Sequence, residues 1–413
     1  MQRYLLALLL LLGTKLAAAA PVAHISLTVD PATRRFTCRY RFALADGDTT
    51  TVVQFLLPRG LHLGSVRSSQ GMPAVSRRYY PYLADTMQQV TARFAAARPH
   101  RQLTLLYTGT LDKGRTTAQA LEFSAHSLWL PFRPAREYEL LAYTLAVRVP
   151  SGWQVRGTRT PARAGKRLYQ FRGLTSAIEP TAIIARQFHQ FDTTHGAAIS
   201  VVKAGASLTA PDTALLRQAA GIVHFYNRTI GRADSIRQFR LLLTGTQQDA
   251  FGLLDNATVL TYTDLTPANR ADLLILAHEI SHKWWSYGSV HDESDWLNEA
   301  FATYSSLLYL QARGDTAGYR VEYAKRAATT AGTPAIIGFD RFRHEGSMYR
   351  RVMYNKGTVV LAALHARVGT ERLYAILAQT AAQKVSTTEG FLAVVEQLTS
   401  PVTRQWLLAE LSR

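Results

Sequence analysis

His278-Glu279-Ile280-Ser281-His282 is the stretch around which this 413-residue chain is organised, and Trp296-Leu297-Asn298-Glu299-Ala300-Phe301 is its companion. Residues four apart share one face of a helix, so His278 and His282 can turn two imidazole nitrogens toward a single ion. Glu279 points at the edge of that site, where a carboxylate can touch a metal-held water without occupying the metal. A hydrolytic zinc takes three protein ligands and keeps one position open. Two histidines leave one ligand to find. Glu299 stands in the first turn of the next helix, where an antiparallel return brings it back to the ion. Each feature also has an ordinary explanation: surface histidines on an amphipathic helix, and a helix-start carboxylate favoured by the dipole. Spacing alone leaves both open.

Length and composition set the frame. A chain of this size with 47% hydrophobic residues can bury a sizeable core and is long enough for two domains. Residues 1–19 read as a signal peptide. Arg3 supplies positive charge, Leu5 to Leu12 form an apolar run, and Ala17 to Ala20 offer small-residue cleavage sites. That run is shorter than the ~20 residues a membrane-spanning helix needs, and no later stretch is long and uncharged enough. The expectation is an exported protein, periplasmic or secreted. Cys38 is the single cysteine, which excludes an internal disulfide, and its alternating context reads as a packed thiol. The net charge of +18 would favour nucleic acid in the cytoplasm. Export and the lack of a basic run with interleaved aromatics argue against it. A dispersed basic surface is the plain reading, with attraction to anionic envelope polymers or acidic peptides as the alternative.

The pattern divides the chain into an N-terminal β domain over 20–195 and a mostly helical domain over 196–413. Ile25 to Val29, Arg35 to Phe42, Thr51 to Leu57, Gln102 to Tyr107 and Leu140 to Val149 alternate, bounded by Gly, Pro and Asp turn signals. They suggest a sandwich or an extended curved sheet. Thr86 to Ala97 fits strand or short helix equally. Asp212 to Thr229 has a helical period, and strands follow at Gln238 to Thr244 and Ala257 to Tyr262. Thr266-Pro267 then offers a helix start, with the helix running to Trp284. A second helix capped by Ser294 or Asp295 ends near Gly314, and helices are predicted at 346–368, 370–382, 388–398 and 402–411. His62, His100, His126 and His189 are scattered and form no cluster.

At this point the residues carry a resemblance. His278-Glu279-Ile280-Ser281-His282-Lys283-Trp284-Trp285 followed by Trp296-Leu297-Asn298-Glu299-Ala300-Phe301-Ala302 resembles the gluzincin metallopeptidases related to aminopeptidase N and leukotriene hydrolase. Tyr354-Asn355-Lys356-Gly357 is similar to that family's Y-x-K-G, and Gly252-Leu253-Leu254-Asp255-Asn256 stands where the family has G-x-M-E-N. Val29-Asp30-Pro31-Ala32-Thr33-Arg34-Arg35-Phe36 looks like its first strands. The resemblance implies an α+β protein, with a β-sandwich or saddle domain before a thermolysin-like zinc peptidase domain. It implies one Zn2+ held by His278, His282 and Glu299, with Glu279 as the base that passes a proton to the leaving amine. Tyr354 would donate to the oxyanion. Gly252, Asp255 and Asn256 would bind the peptide backbone and its α-amine. Tyr349 either lines the same pocket or packs at the surface.

Three departures stand out. Asp255 replaces the glutamate that grips the substrate amine, one methylene shorter; it either keeps that role or caps a turn with Asn256. The first half shows no counterpart of the family's glutamine- or glutamate-bearing amine loop. The connection from His282 to Glu299 is short, and the chain ends at Arg413 without the large C-terminal helical domain of longer members. An open cleft for longer peptides or protein ends is the corresponding expectation. Aminopeptidase is the first reading, acting on peptide or protein substrates. An endopeptidase on the same scaffold is the alternative, and a non-catalytic envelope-binding protein the rival from another class. The absence of G-x-S-x-G and G-x-x-x-x-G-K-[ST] argues against a serine hydrolase and a nucleotide-binding protein.

Overall fold

A computed structural model describes residues 20–45, 47–95, 101–246, 250–253, 258–261 and 265–413. The leader and the Asp255-Asn256 pair lie outside the described residues. The N-terminal half is rich in β-sheet and the C-terminal half is mainly helical and carries the peptidase motifs. Alternation explains the strands. In Val22–Asp30 and Arg35–Ala43 every second residue is buried, so Ile25, Leu27, Val29, Phe36, Cys38, Tyr40 and Phe42 face one core. Burial pushes the Cys38 thiol up to about 12, which leaves it protonated and inert.

Seven strands form the largest sheet, in the order Arg163–Ala164, Leu168–Ser176, Leu140–Arg148, Val22–Asp30, Arg35–Ala43, Gln102–Thr110, His62–Ser68. Two three-stranded sheets complete this half, one with Val52–Leu57, Asp85–Arg93 and Ala74–Tyr80, the other with Gln154–Arg156, Ala182–Ala185 and Ala120–Phe123. Thr86 to Ala97, open between strand and helix in the sequence, is strand over Asp85–Arg93.

A five-stranded sheet leads into the helical half. Strand Ala198–Ala204 passes through helix Ala210–Thr229 to the parallel strand Gln238–Leu243, a crossover unit. Next comes Val259–Thr261, with the short strand Phe251–Gly252 at the edge. An edge strand leaves backbone groups free for another chain.

The helices differ from expectation at their ends. Thr266-Pro267 does not start the first catalytic helix, which spans Arg270–Ser281. Asn269 caps it by accepting from the Ala271 N–H, while Thr266 takes part in a turn whose carbonyl receives the Asn269 N–H. The helix also stops before Trp284. The two adjacent indoles bury in different directions, Trp284 Nε1 donating to Asp234 O and Trp285 Nε1 to Ser305 Oγ. The companion helix, Trp296–Ala312, has no side-chain cap on its first backbone N–H groups from Ser294 or Asp295, although Asn298 Nδ2 donates to Asp295 Oδ1 at 2.9 Å. Asp292 instead caps the short 3₁₀ turn Glu293–Asp295 in front of it. Helix Thr316–Ala327 was not anticipated. The helical run from Gly346 to Val368 contains a π-helical segment, Arg350–Lys356. No helix among the described residues is long and apolar enough to cross a membrane.

Candidate metal centre

Helix Arg270–Ser281 buries Leu273, Leu276, Ala277 and Ile280 and so turns His278 and Glu279 toward the cleft. His282 is the residue just past its end, but its backbone remains right-handed helical and keeps the four-residue register with His278. Its ring orientation is fixed. Nδ1 lies 2.8 Å from Trp285 O, and a carbonyl only accepts, so Nδ1 carries the hydrogen and Nε2 the lone pair. His278 Nε2 faces that lone pair at 3.1 Å.

Glu299 comes from the first turn of helix Trp296–Ala312, which packs along the first helix. Its Oε2 is buried and makes no hydrogen bond, although His278 Nε2 lies 3.4 Å away. A buried carboxylate oxygen without a partner is costly, and a cation between it and two imidazoles removes the cost. Ligand atoms of His278, His282 and Glu299 all lie within 4.8 Å of one another, so this cluster can coordinate a metal ion. Two imidazoles and one carboxylate make a zinc donor set. Burial would raise the Glu299 carboxyl, but the adjoining imidazoles and the Tyr354 hydroxyl outweigh it and hold the group below its ordinary value.

Glu279 is held by the edge strand. The Gly252 N–H donates to its Oε2 at 2.7 Å, and that oxygen lies 4.0 Å from His282 Nε2. A Cβ at position 252 would sit 2.2 Å from the Glu279 carbonyl oxygen, so only glycine lets the strand come this close to the helix. The sequence placed Gly252 at the substrate edge; the structure adds that its backbone orients the carboxylate of Glu279.

Tyr354 sits in the π-helical segment, a geometry that shifts a side chain relative to a regular helix. Its ring stacks on His278 with centroids 5.9 Å apart and planes within 4°. Burial first, and then the Glu299 charge, push its hydroxyl well above the usual tyrosine range, so it stays a donor. Gly357 has a packing reason. A Cβ there would meet Ala300 Cβ at 2.5 Å, so the glycine lets this helical run touch the Glu299 helix.

The centre lies between two cavities. One, of about 80 Å³, is bounded by His282, Asp295 and Glu299 and by Tyr82, Tyr138 and Glu179 from the β half. Tyr349 lines it too and donates to Asp295 Oδ2 at 2.6 Å. Asp295 is buried, and burial together with the nearby Glu299 charge pushes its carboxyl up to about 7. The other is an open groove of about 660 Å³, with His278, Glu279 and Tyr354 at its inner end and Lys325, Arg326 and Arg350 along its walls. Sequence reasoning missed Tyr82, Tyr138 and Glu179. They lie far from the motifs in the chain, and Ile178-Glu179-Pro180 has no pattern that marks it as functional.

Residues 253–400 match the model of the peptidase family M1 domain. No curated protein matches the chain. Among solved structures, an M1 zinc metallopeptidase variant from Deinococcus radiodurans bound to a Tyr-Ser-Ala substrate is similar. It has a TM-score of 0.71 at 16% identity, over 95% of this chain and 94% of that one. A two-domain M1 zinc metallopeptidase variant bound to L-tryptophan has a TM-score of 0.70 at 16% identity, over 96% and 94%. One bound to L-arginine has 0.71 at 16%, with the same coverage. Residues 253–400 thus match the M1 peptidase domain model, and along nearly its whole length the chain has the fold of the two-domain M1 structures.

Proposed function

We propose that this protein is a zinc-dependent aminopeptidase that removes N-terminal residues from peptides, exported from the cytoplasm by the leader at 1–19. One observation carries the reading. The His278, His282 and Glu299 cluster, with Glu279 beside it, opens on one side into a cavity of only about 80 Å³ lined by the acidic groups Glu179 and Asp295. So small a space takes little of the chain beyond the scissile bond, and acidic groups there suit an α-ammonium group. The similar structures bound to Tyr-Ser-Ala, L-tryptophan and L-arginine support it.

Zinc, when bound by the three ligands, supplies the Lewis acid that polarises the scissile carbonyl and acidifies water. Glu279, oriented by the Gly252 N–H, accepts a proton from the attacking water and delivers it to the departing amine. Peptide and water thus give a free carboxylic acid and a shortened peptide. Tyr354, kept protonated, donates its hydroxyl to the carbonyl oxygen as charge builds there. The Phe251–Gly252 edge strand offers its backbone to the substrate.

Matched peptides with a free and an acetylated N-terminus test the reading, with zinc-loaded parent protein and a Glu279→Ala blank. Stepwise cleavage of the free peptide alone is expected. Internal cleavage of both makes the protein an endopeptidase, and zinc binding without cleavage of either supports the non-catalytic binding role.

A further inference from the structure

The open groove has a sign. Glu322 pairs with both Lys325, at 2.7 Å, and Arg326, at 3.0 Å, so one carboxylate serves two cations. Arg350 is exposed and has no carboxylate partner among the described residues. Its guanidinium rests 4.6 Å from the centroid of the Tyr354 ring. Beyond the catalytic end, the walls therefore carry three cations against one anion. The smaller cavity across the metal centre is lined by Glu179, Asp295 and Glu299 and by no lysine or arginine, although Arg341 pairs with Asp295 at 3.9 Å from outside the lining. A short peptide has the matching polarity, an ammonium at one end and a carboxylate at the other.

The reach also matches. Tyr354 stacks on His278 at 5.9 Å, and Arg350 lies a further 4.6 Å from the Tyr354 ring. At ~3.4 Å per extended residue, the two legs placed end to end span at most about three residues beyond the His278 ring. A tripeptide cut after its first residue leaves two.

Resting on the aminopeptidase reading, we propose that Arg350, supported by Lys325 and Arg326, anchors a carboxylate on the leaving portion of the substrate. The enzyme then favours peptides of about three or four residues. Guanidinium suits this task because it offers parallel N–H donors to both carboxylate oxygens. The carboxylate has two sources, the free C-terminus or an acidic side chain near it. Arg350 touches the Tyr354 ring as well, so simple loss of activity in a variant would say nothing about anchoring.

Ratios between matched peptides remove that ambiguity. Four tripeptides are compared: a free acid, its C-terminal amide, and amides carrying Glu or Gln after the scissile bond. Each is measured for kcat/KM with the zinc-loaded parent. Each is also measured for Kd by calorimetry with zinc-loaded Glu279→Gln protein, where nothing is cut. Roughly tenfold preference for acid over amide is expected in both readouts. It should collapse toward one in Arg350→Met and be partly kept in Arg350→Lys. Damage to Tyr354 lowers acid and amide alike and leaves their ratio intact. A Glu-over-Gln preference that Arg350→Met removes assigns the anchor to an acidic side chain instead of the C-terminus. Equal values for all four peptides overturn the anchor while cleavage keeps the peptidase reading. Discrimination in Kd without hydrolysis by the parent keeps the anchor and defeats the peptidase reading.

Discussion

Two walls meet at the metal centre, and they differ in size and sign. The β half lines a cavity of about 80 Å³ with Glu179, next to the buried Asp295. The helical half opens a groove of about 660 Å³ edged by Lys325, Arg326 and Arg350. Catalytic groups common to zinc hydrolysis stand between them and do not by themselves choose a direction for the substrate. The difference between the walls does. On the proposed reading, an ammonium is drawn to the acidic side and the rest of the chain leaves by the cationic side, so the peptide lies one way round. The centre supplies chemistry; the contrast between its walls supplies polarity.

The most severe way to break the arrangement is to remove the centre and leave both walls. His282→Ala should lower zinc content measured by metal analysis and reduce hydrolysis by on the order of 10³-fold or more, since both carbonyl polarisation and water activation go with the ion. Glu279→Gln should keep the zinc and still lose ~10²–10⁴-fold in kcat, as expected for loss of a general base alone. Equal zinc loss in both variants would mean that Glu279 holds the ion and does not work on water. Next in size is Gly252→Ala. Its new Cβ falls 2.2 Å from the Glu279 carbonyl oxygen, so strand or helix must move. Displacement of the catalytic carboxylate by about 1 Å predicts a ~10²-fold fall in kcat with zinc content unchanged.

The acidic wall is tested by a smaller, selective effect. Glu179 is buried, and Thr175 Oγ1 donates to its Oε2 at 2.5 Å. Glu179→Gln keeps the shape and removes the charge. For peptides with a free α-amine, kcat/KM should fall about 30-fold, the order expected when one partner of a desolvated charge pair is lost. Acetylated peptides should not respond. An equal fall for both would assign Glu179 to the packing of the wall and return the choice of direction to the cationic groove.

Much of the chemistry was legible because it is local. The four-residue spacing of His278 and His282 is a helix property, and Glu299 follows within one helix–turn–helix unit. Alternation in Val22–Asp30 and Arg35–Ala43 likewise needs only neighbouring residues to be read. What escaped is non-local or depends on geometry. Glu179 reaches the cavity through sheet packing that no pattern near position 179 reports. Helix Arg270–Ser281 stops short of Trp284, and each of the two indoles that follow donates to its own acceptor, Asp234 O and Ser305 Oγ, far off in the chain. The π-helical segment at Arg350–Lys356 looks like an ordinary amphipathic period in the sequence. Arg350 lies on the Tyr354 ring, as their four-residue separation in a helix allows.

A second buried carboxylate, Glu122, contrasts with the acidic groups of the cavity, and its effect on catalysis should be the smallest. It lies on strand Ala120–Phe123 of the β half and is almost fully buried. Ser124 Oγ donates to it at 2.7 Å and Thr244 Oγ1, from the start of the helical half, at 3.0 Å. Thr246 Oγ1 also donates, and His126 Nδ1 lies at 3.1 Å. Asp295, although Tyr349 and Asn298 donate to it, is pushed up because burial and a like charge prevail; at Glu122 the donors prevail. Burial raises its carboxyl, but bonds from His126, Thr246 and Ser124 outweigh that and hold it at about 2. A group whose folded pKa lies below its unfolded value stabilises the fold at pH above the unfolded value, near 4.5, and loses that contribution as pH falls toward 2. The shift corresponds to stability on the order of 3 kcal/mol. Denaturant unfolding of metal-free parent and Glu122→Gln should therefore separate the two by about that amount at pH 7 and bring them together near pH 2. A gap that persists in acid would trace the loss to the shape of the amide and not to the charge. At neutral pH, folded variant protein should keep kcat within about a factor of two, because Glu122 is not part of the cavity lining.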